Sequence, residues 1–132
     1  LVDGGMQKRC FTYVDDGIAA LMKILENKEN SCKNEIINIG NPGNEASVKE
    51  LASLLKKIFM EHPEHQKDGA YSEIREVSST SFYGKGYQDI YTRKPSIEKA
   101  RKLLGWEPHV GLEDSLRRTL YSFLEENKEA VG

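Results

Sequence analysis

The sequence predicts a small mixed α/β unit of the α+β class, on three observations. Its 132 residues are 38% apolar and 30% charged, which supplies one modest core and too little for two. Segments with apolar residues at helical spacing are interspersed with short β-branched or aromatic runs, so both element types are present. No internal repeat and no Gly/Ser/Pro-rich linker divides the chain, so residues 1–132 read as a single domain.

Each element has a local cause. Gly4 and Gly5 mark a turn, and Arg9 to Val14 (RCFTYV) reads as a strand. Asp15 and Asp16 supply an N-cap for GIAALMKILEN, where Ile18, Leu21, Met22 and Leu25 fall at helical spacing. Glu35 to Gly40 (EIINIG) predicts a brief strand ending at the turn Asn41-Pro42-Gly43-Asn44. Ser47 and Glu50 have capping-box spacing. The helix they open carries Leu51, Leu54, Leu55 and Ile58 on one face and ends before Pro63. After a polar stretch, Glu73 to Ser78 alternates like a strand. Residues 79–95 then have no helical period and form a long, tyrosine-rich loop. Ser96 is placed to cap IEKARKLL, which Gly105 closes, and Trp106 and Pro108 make a packed turn. A last helix over Leu112 to Asn127 turns Leu116, Leu120, Phe123 and Leu124 inward.

Composition narrows the function. No apolar run is long enough to span a membrane, and no secretory leader is present. The net charge is −2, from Lys+Arg 19 and Asp+Glu 21, without blocks of one sign, which argues against a nucleic-acid partner. Cys10 and Cys32 have neither metal-ligand spacing nor a disulfide framework, so a reduced, cytoplasmic setting is expected. The start on Leu1, running at once into a glycine turn, predicts a piece of a longer protein.

Motif searches exclude more. Neither G-x-G-x-x-G nor G-x-x-x-x-G-K-[ST] occurs, so the usual phosphate-cradling loops are missing. G-x-S-x-G and H-E-x-x-H are also missing. His62 and His65 in the H-P-E-H turn, and His109 after Pro108, read as solvated residues, so no metal site is expected.

Three segments are candidates for chemistry; Asn38-Ile39-Gly40-Asn41-Pro42 reads more simply as a strand end with a turn, and two carry more. In Gly4-Gly5-Met6-Gln7-Lys8-Arg9 a glycine turn allows close approach to a ligand, and Arg9 offers a fork of donors suited to a diphosphate; an ordinary turn with a surface arginine is the alternative. In the 79–95 loop, Tyr83, Lys85, Tyr87, Gln88, Asp89, Arg93 and Lys94 set aromatic faces beside cations, suiting a base, a sugar or a carboxylate. A packed Ω-loop is the alternative there.

The ordered stretches D-G-G-M-Q-K-R-C-F-T-Y-V-D-D-G-I, E-I-I-N-I-G-N-P, R-K-P-S-I-E-K-A-R-K-L-L-G-W-E-P and L-E-D-S-L-R-R-T-L resemble the C-terminal half of extended short-chain dehydrogenases acting on nucleotide sugars. Within that family, S-F-Y-G-K-G-Y-Q-D-I-Y-T-R-K-P is similar to the NAD-dependent UDP-glucuronate decarboxylases of polymyxin resistance, which open the route to 4-amino-4-deoxy-L-arabinose on lipid A. The resemblance implies a C-terminal substrate-binding lobe of a Rossmann-type enzyme, without its NAD-binding half. It implies a reaction in which NAD oxidises the 4-hydroxyl of UDP-glucuronate, carbon dioxide leaves and a UDP-4-keto-pentose results. It also implies self-association of the intact enzyme.

By the same resemblance, Leu1, Val2, Asp3, Gly4, Gly5, Met6, Gln7, Lys8 and Arg9 would wrap the uridine and diphosphate, Tyr87 would contact substrate, and Arg93 would be the catalytic arginine. A guanidinium, with a pKa above about 12, is a poor acid at neutral pH. Arg93 is therefore expected mainly to bind and orient the substrate carboxylate. The Tyr-x-x-x-Lys pair and glycine-rich loop of the family are missing, so NAD would be held by the missing N-terminal half, and this chain alone is expected to be inactive. The alternatives are the substrate lobe of a UDP-xylose synthase or a UDP-sugar 4-epimerase, and a non-catalytic binding module.

Overall fold

The computed structural model describes residues 1–131. A three-stranded sheet has β1 (Lys8–Cys10) at its centre, β2 (Glu45–Ser47) antiparallel on one side and β3 (Thr92–Arg93) parallel on the other. Its register sets Arg9 beside Ala46 and Arg93. Around it lie α1 (Val14–Glu26), α2 (Val48–Glu61), α3 (Gln66–Tyr71), α4 (Ser79–Tyr83), α5 (Glu98–Leu104) and α6 (Leu112–Val131). The small mixed α/β class is the one expected.

The main core lies between α1 and α5. Ala20, Ile97, Ala100, Leu104 and Trp106 are buried together, with Ile24, Ile37 and Ile39 packed against them. The first turn of α1 is bound to the turn after α5 by polar contacts. Trp106 Nε1 donates to the Asp16 carbonyl at 2.9 Å, and the backbone N–H groups of His109 and Val110 both donate to Asp16 Oδ2 at 3.0 Å. Asn41 and Asn44 donate their side-chain amides to the Val110 carbonyl at 3.2 and 2.9 Å, knitting a third segment into this corner. Asp16 is only 6% exposed, so removing its carboxylate would leave two N–H groups without their acceptor. Asp16→Ala is expected to cost about 2–3 kcal/mol in urea unfolding; a loss below about 0.5 kcal/mol would contradict this account.

The helix ends show which local signals were sufficient. Ser47 and Glu50 form the full capping box: Ser47 N donates to Glu50 Oε2 at 2.7 Å and Glu50 N to Ser47 Oγ at 3.1 Å. These bonds hold the Glu50 carboxyl below its ordinary pKa. Gly105 closes α5 in the left-handed conformation, φ 55°, with its N–H on the Arg101 carbonyl. Ser96, in contrast, does not cap α5; Ile97 holds the N-cap position without a side-chain bond. The helix α1 begins at Val14, so Asp15 and Asp16 lie in its first turn instead of capping it. There the acidic charge still favours the helix dipole.

The strands depart most from expectation. The first is confined to Lys8–Cys10, shorter than Arg9 to Val14. Glu35 to Gly40 forms no strand; Ile37 and Ile39 are half-buried and Ile36 is 86% exposed, and the segment has no ladder partner among the described residues. Glu73 to Ser78 contributes only one bridge, Val77 to Val2. The polar stretch 61–71 contains α3, and the 79–95 segment contains α4 and β3. Phe123, expected inward, is 62% exposed, whereas Leu116, Leu120 and Leu124 are half-buried. No helix is long and apolar enough to cross a membrane among the described residues.

Candidate functional site

The glycine turn and the tyrosine-rich loop, 80 residues apart in sequence, meet at the sheet. A short 3-10 turn, Asp3–Gly5, is pinned to the 75–77 segment: Val77 N donates to the Leu1 carbonyl at 2.8 Å and Asp3 N to the Val77 carbonyl at 2.9 Å. Gly4 and Gly5 both take positive φ, 73° and 65°. A Cβ on Gly5 would stand 3.1 Å from Lys49 N and 3.0 Å from Leu1 Cδ2, so this glycine is needed for packing. Ser79 N donates to Asp3 Oδ1 at 2.8 Å, and bonds from Ser79 hold the Asp3 carboxyl below its ordinary pKa.

Two clefts result. The first, about 310 Å³, is lined by Val2, Asp3, Met6, Gln7, Tyr87, Asp89 and Tyr91. Tyr87 stacks on Tyr83, ring centroids 4.1 Å apart and 23° between planes, which presents a flat aromatic wall. Partial desolvation, then the charges of Asp89 and Tyr83, hold the Tyr87 phenol above its ordinary pKa, against the opposing effect of Arg9. It is therefore a neutral hydroxyl near neutral pH, able to donate or accept. The second cleft, about 430 Å³, is lined by Arg9, Cys10, Thr12, Asn38, Ile39, Gly40, Arg93, Lys94 and Pro95. A Cβ on Gly40 would lie 2.7 Å from Pro95 Cγ, so the 38–40 and 93–95 backbones approach closely only because residue 40 is glycine.

Between the clefts stands the Arg9 side chain. Its Nη2 donates to Asp89 Oδ1 at 2.5 Å, and its Nη1 donates to the carbonyls of Ile90 and Lys8, each at 2.7 Å. Arg93 is exposed, and among the described residues no carboxylate pairs with it.

Of the expected site residues, Val2, Asp3, Met6, Gln7 and Tyr87 thus share the first cleft, and Arg9 and Arg93 share the second. Leu1, Gly4, Gly5 and Lys8 line neither. Tyr91 was not expected as a site residue; Asp89 stood among the candidates of the 79–95 loop, and Asn38–Gly40 in a segment read as a strand end with a turn. For Tyr91, its place in the aromatic loop was the available signal. The buried Asn41, which holds Gly43 N at 3.0 Å through its Oδ1, serves the turn.

After α2, the donor atoms of His62, Glu64 and His65 lie within 4.8 Å of one another. These rings are not merely solvated: His65 stacks on Phe59 and His62 meets Tyr121 edge-on. Two imidazoles and a carboxylate are a donor set that could hold a transition metal.

Comparison with known proteins gives the family. Residues 1–119 match the family model described as GDP-mannose 4,6 dehydratase; the chain belongs to this family of NAD-dependent epimerases and dehydratases, the extended short-chain dehydrogenases. It is similar to the PbgP3 protein from Burkholderia pseudomallei, at 43% identity and TM-score 0.76, over 89% of this chain and 31% of that one. It is also similar to UDP-glucuronic acid 4-epimerase from Bacillus cereus, solved with UDP-glucuronic acid and NAD, at 30% identity and TM-score 0.64, over 85% and 30%. UDP-glucose 4-epimerase from Thermotoga maritima, solved with UDP-glucose, matches at 29% identity and TM-score 0.70, over 96% and 34%. The chain therefore spans about a third of the length of these structures.

Proposed function

We propose that the chain is the substrate-binding lobe of an NAD-dependent UDP-glucuronate decarboxylase, a cytoplasmic enzyme yielding a UDP-4-keto-pentose for lipid A modification and polymyxin resistance. The observation that carries this reading is the meeting of the 1–9 segment with the aromatic loop, an unpaired Arg93 standing beside Arg9. Arg9 takes the diphosphate through its guanidinium fork, Tyr87 offers a hydroxyl and a stacking face, and Arg93 pairs with the glucuronate carboxylate.

The residues of this chain do not fit NAD. Its first cleft is lined by two carboxylates, Asp3 and Asp89, and no glycine-rich strand–turn–helix is present to receive a pyrophosphate. No step through NAD is assigned to this chain; in this reading it is held by the other part of the enzyme. Two surfaces suit that part. On α1, Val14, Ile18, Leu21, Met22 and Leu25 are 50–78% exposed and form a continuous apolar stripe opposite buried Asp16 and Ala20. The ladderless 35–40 segment offers backbone for a strand to pair with. The lobe alone should therefore release no carbon dioxide from UDP-glucuronate.

The test is turnover by the intact enzyme. Carbon dioxide release from UDP-glucuronate, with UDP-glucose unreactive, is the expected result; conversion of UDP-glucose would overturn it. The similarity to UDP-glucuronic acid 4-epimerase favours one second reading, epimerisation of the same acid. Formation of UDP-galacturonate with no carbon dioxide would establish that alternative.

A further inference from the structure

The cation placed to receive a diphosphate is already engaged by an anion of the protein itself. Arg9 Nη2 donates to Asp89 Oδ1 at 2.5 Å, while Nη1 is shared between two carbonyls. Both side chains of the pair are about a third or less exposed, 27% for Arg9 and 31% for Asp89, so solvent screens the contact only in part. Asp89 also lines the first cleft, together with Asp3 and without a lining cation. An anion entering this cleft meets two carboxylates, and the nearby Arg9 already gives one of its N–H donors to Asp89 and two to backbone carbonyls. Arg93, its register neighbour, has no such partner.

We propose that Asp89 competes with the ligand's diphosphate for Arg9 and thereby sets how tightly the site holds a diphosphate. The inference rests on the reading of Arg9 as a diphosphate ligand and adds a residue that the reading does not contain. A charge-assisted bond is exchanged for another of the same kind. Only a ligand that brings its own multiply charged, bidentate acceptor to the guanidinium recovers what is lost when Asp89 leaves. A neutral nucleoside, which does not reach for Arg9, neither displaces Asp89 nor gains from its removal. The competing carboxylate lowers the fraction of molecules ready to bind a diphosphate, and the apparent affinity falls by that fraction.

The experiment is calorimetric titration of the intact enzyme with UDP and, separately, with uridine. Asp89→Asn is expected to tighten UDP binding about fivefold, the range of a partly exposed ion pair, and to leave uridine binding unchanged. Asp89→Glu, which keeps the charge, should bind UDP like the wild type. Unchanged or weaker UDP binding by Asp89→Asn would overturn the proposal, as would parallel weakening for UDP and uridine, which would make Asp89 only a support of the loop. Arg9→Ala separates the two levels. If it weakens UDP binding and abolishes the effect of Asp89→Asn, both stand. If it weakens UDP binding but Asp89→Asn has no effect, only the competition fails. If it leaves UDP binding intact, the diphosphate reading of Arg9 fails, and the proposal with it.

Discussion

Arg93→Lys in the intact enzyme is expected to cut turnover of UDP-glucuronate about a hundredfold, the scale of losing one preorganised donor at a developing charge. Lysine keeps the positive charge, so the loss measures the fork itself: a planar guanidinium meets a carboxylate through two parallel bonds, an ammonium through a mobile point charge. The position favours this role. Strand pairing holds the backbone of residue 93 beside Arg9, and among the described residues no carboxylate occupies its side chain. Steady-state kinetics with carbon dioxide as the readout tests it, and turnover near that of the wild type would remove Arg93 from the mechanism. A drop in kcat would point to an interaction made in the transition state, whereas a rise in KM alone would point to ground-state binding.

Trp106→Ala is expected to destabilise the chain by about 3–5 kcal/mol, the usual cost of truncating a buried aromatic residue. Trp106 is 2% exposed in the cluster that joins α1 and α5, and its indole N–H is bonded to the Asp16 carbonyl. The variant therefore loses apolar contact and the indole's bond that ties this turn to α1. Set against a typical domain stability of about 5–15 kcal/mol, this is a large fraction. Urea unfolding followed by far-ultraviolet dichroism would show it as a lower midpoint; a decrease below about 1 kcal/mol would mean that the turn is supported elsewhere.

Local chemistry was legible where one stretch of chain contains its own reason. The capping box at Ser47 and Glu50, the glycine end of α5 and the half-buried face of α6 carried by Leu116, Leu120 and Leu124 are of this kind. The wedge at Trp106 was legible for the same reason. The site was partly legible: Val2, Asp3, Met6, Gln7 and Tyr87 do meet in one cleft. The pairing of Asp89 with Arg9 was not, because nothing in its neighbours Gln88 and Ile90 indicates a partner 80 residues away.

The strands mark the division most clearly. The segment E-I-I-N-I-G has the composition of a strand and remains without a ladder, while E-A-S, residues poor in strand preference, pairs with β1. A helix bonds to itself, so its pattern lies within one window of sequence. A strand exists only by pairing, and its partner is chosen by the packing of distant segments. The sequence by itself therefore determined the class, most helices and the core tryptophan. The tertiary structure alone decided which strands pair, that Arg9 is bound by Asp89, and that the stripe Ile18, Leu21, Met22 and Leu25 faces outward, because each depends on what long-range packing brings alongside.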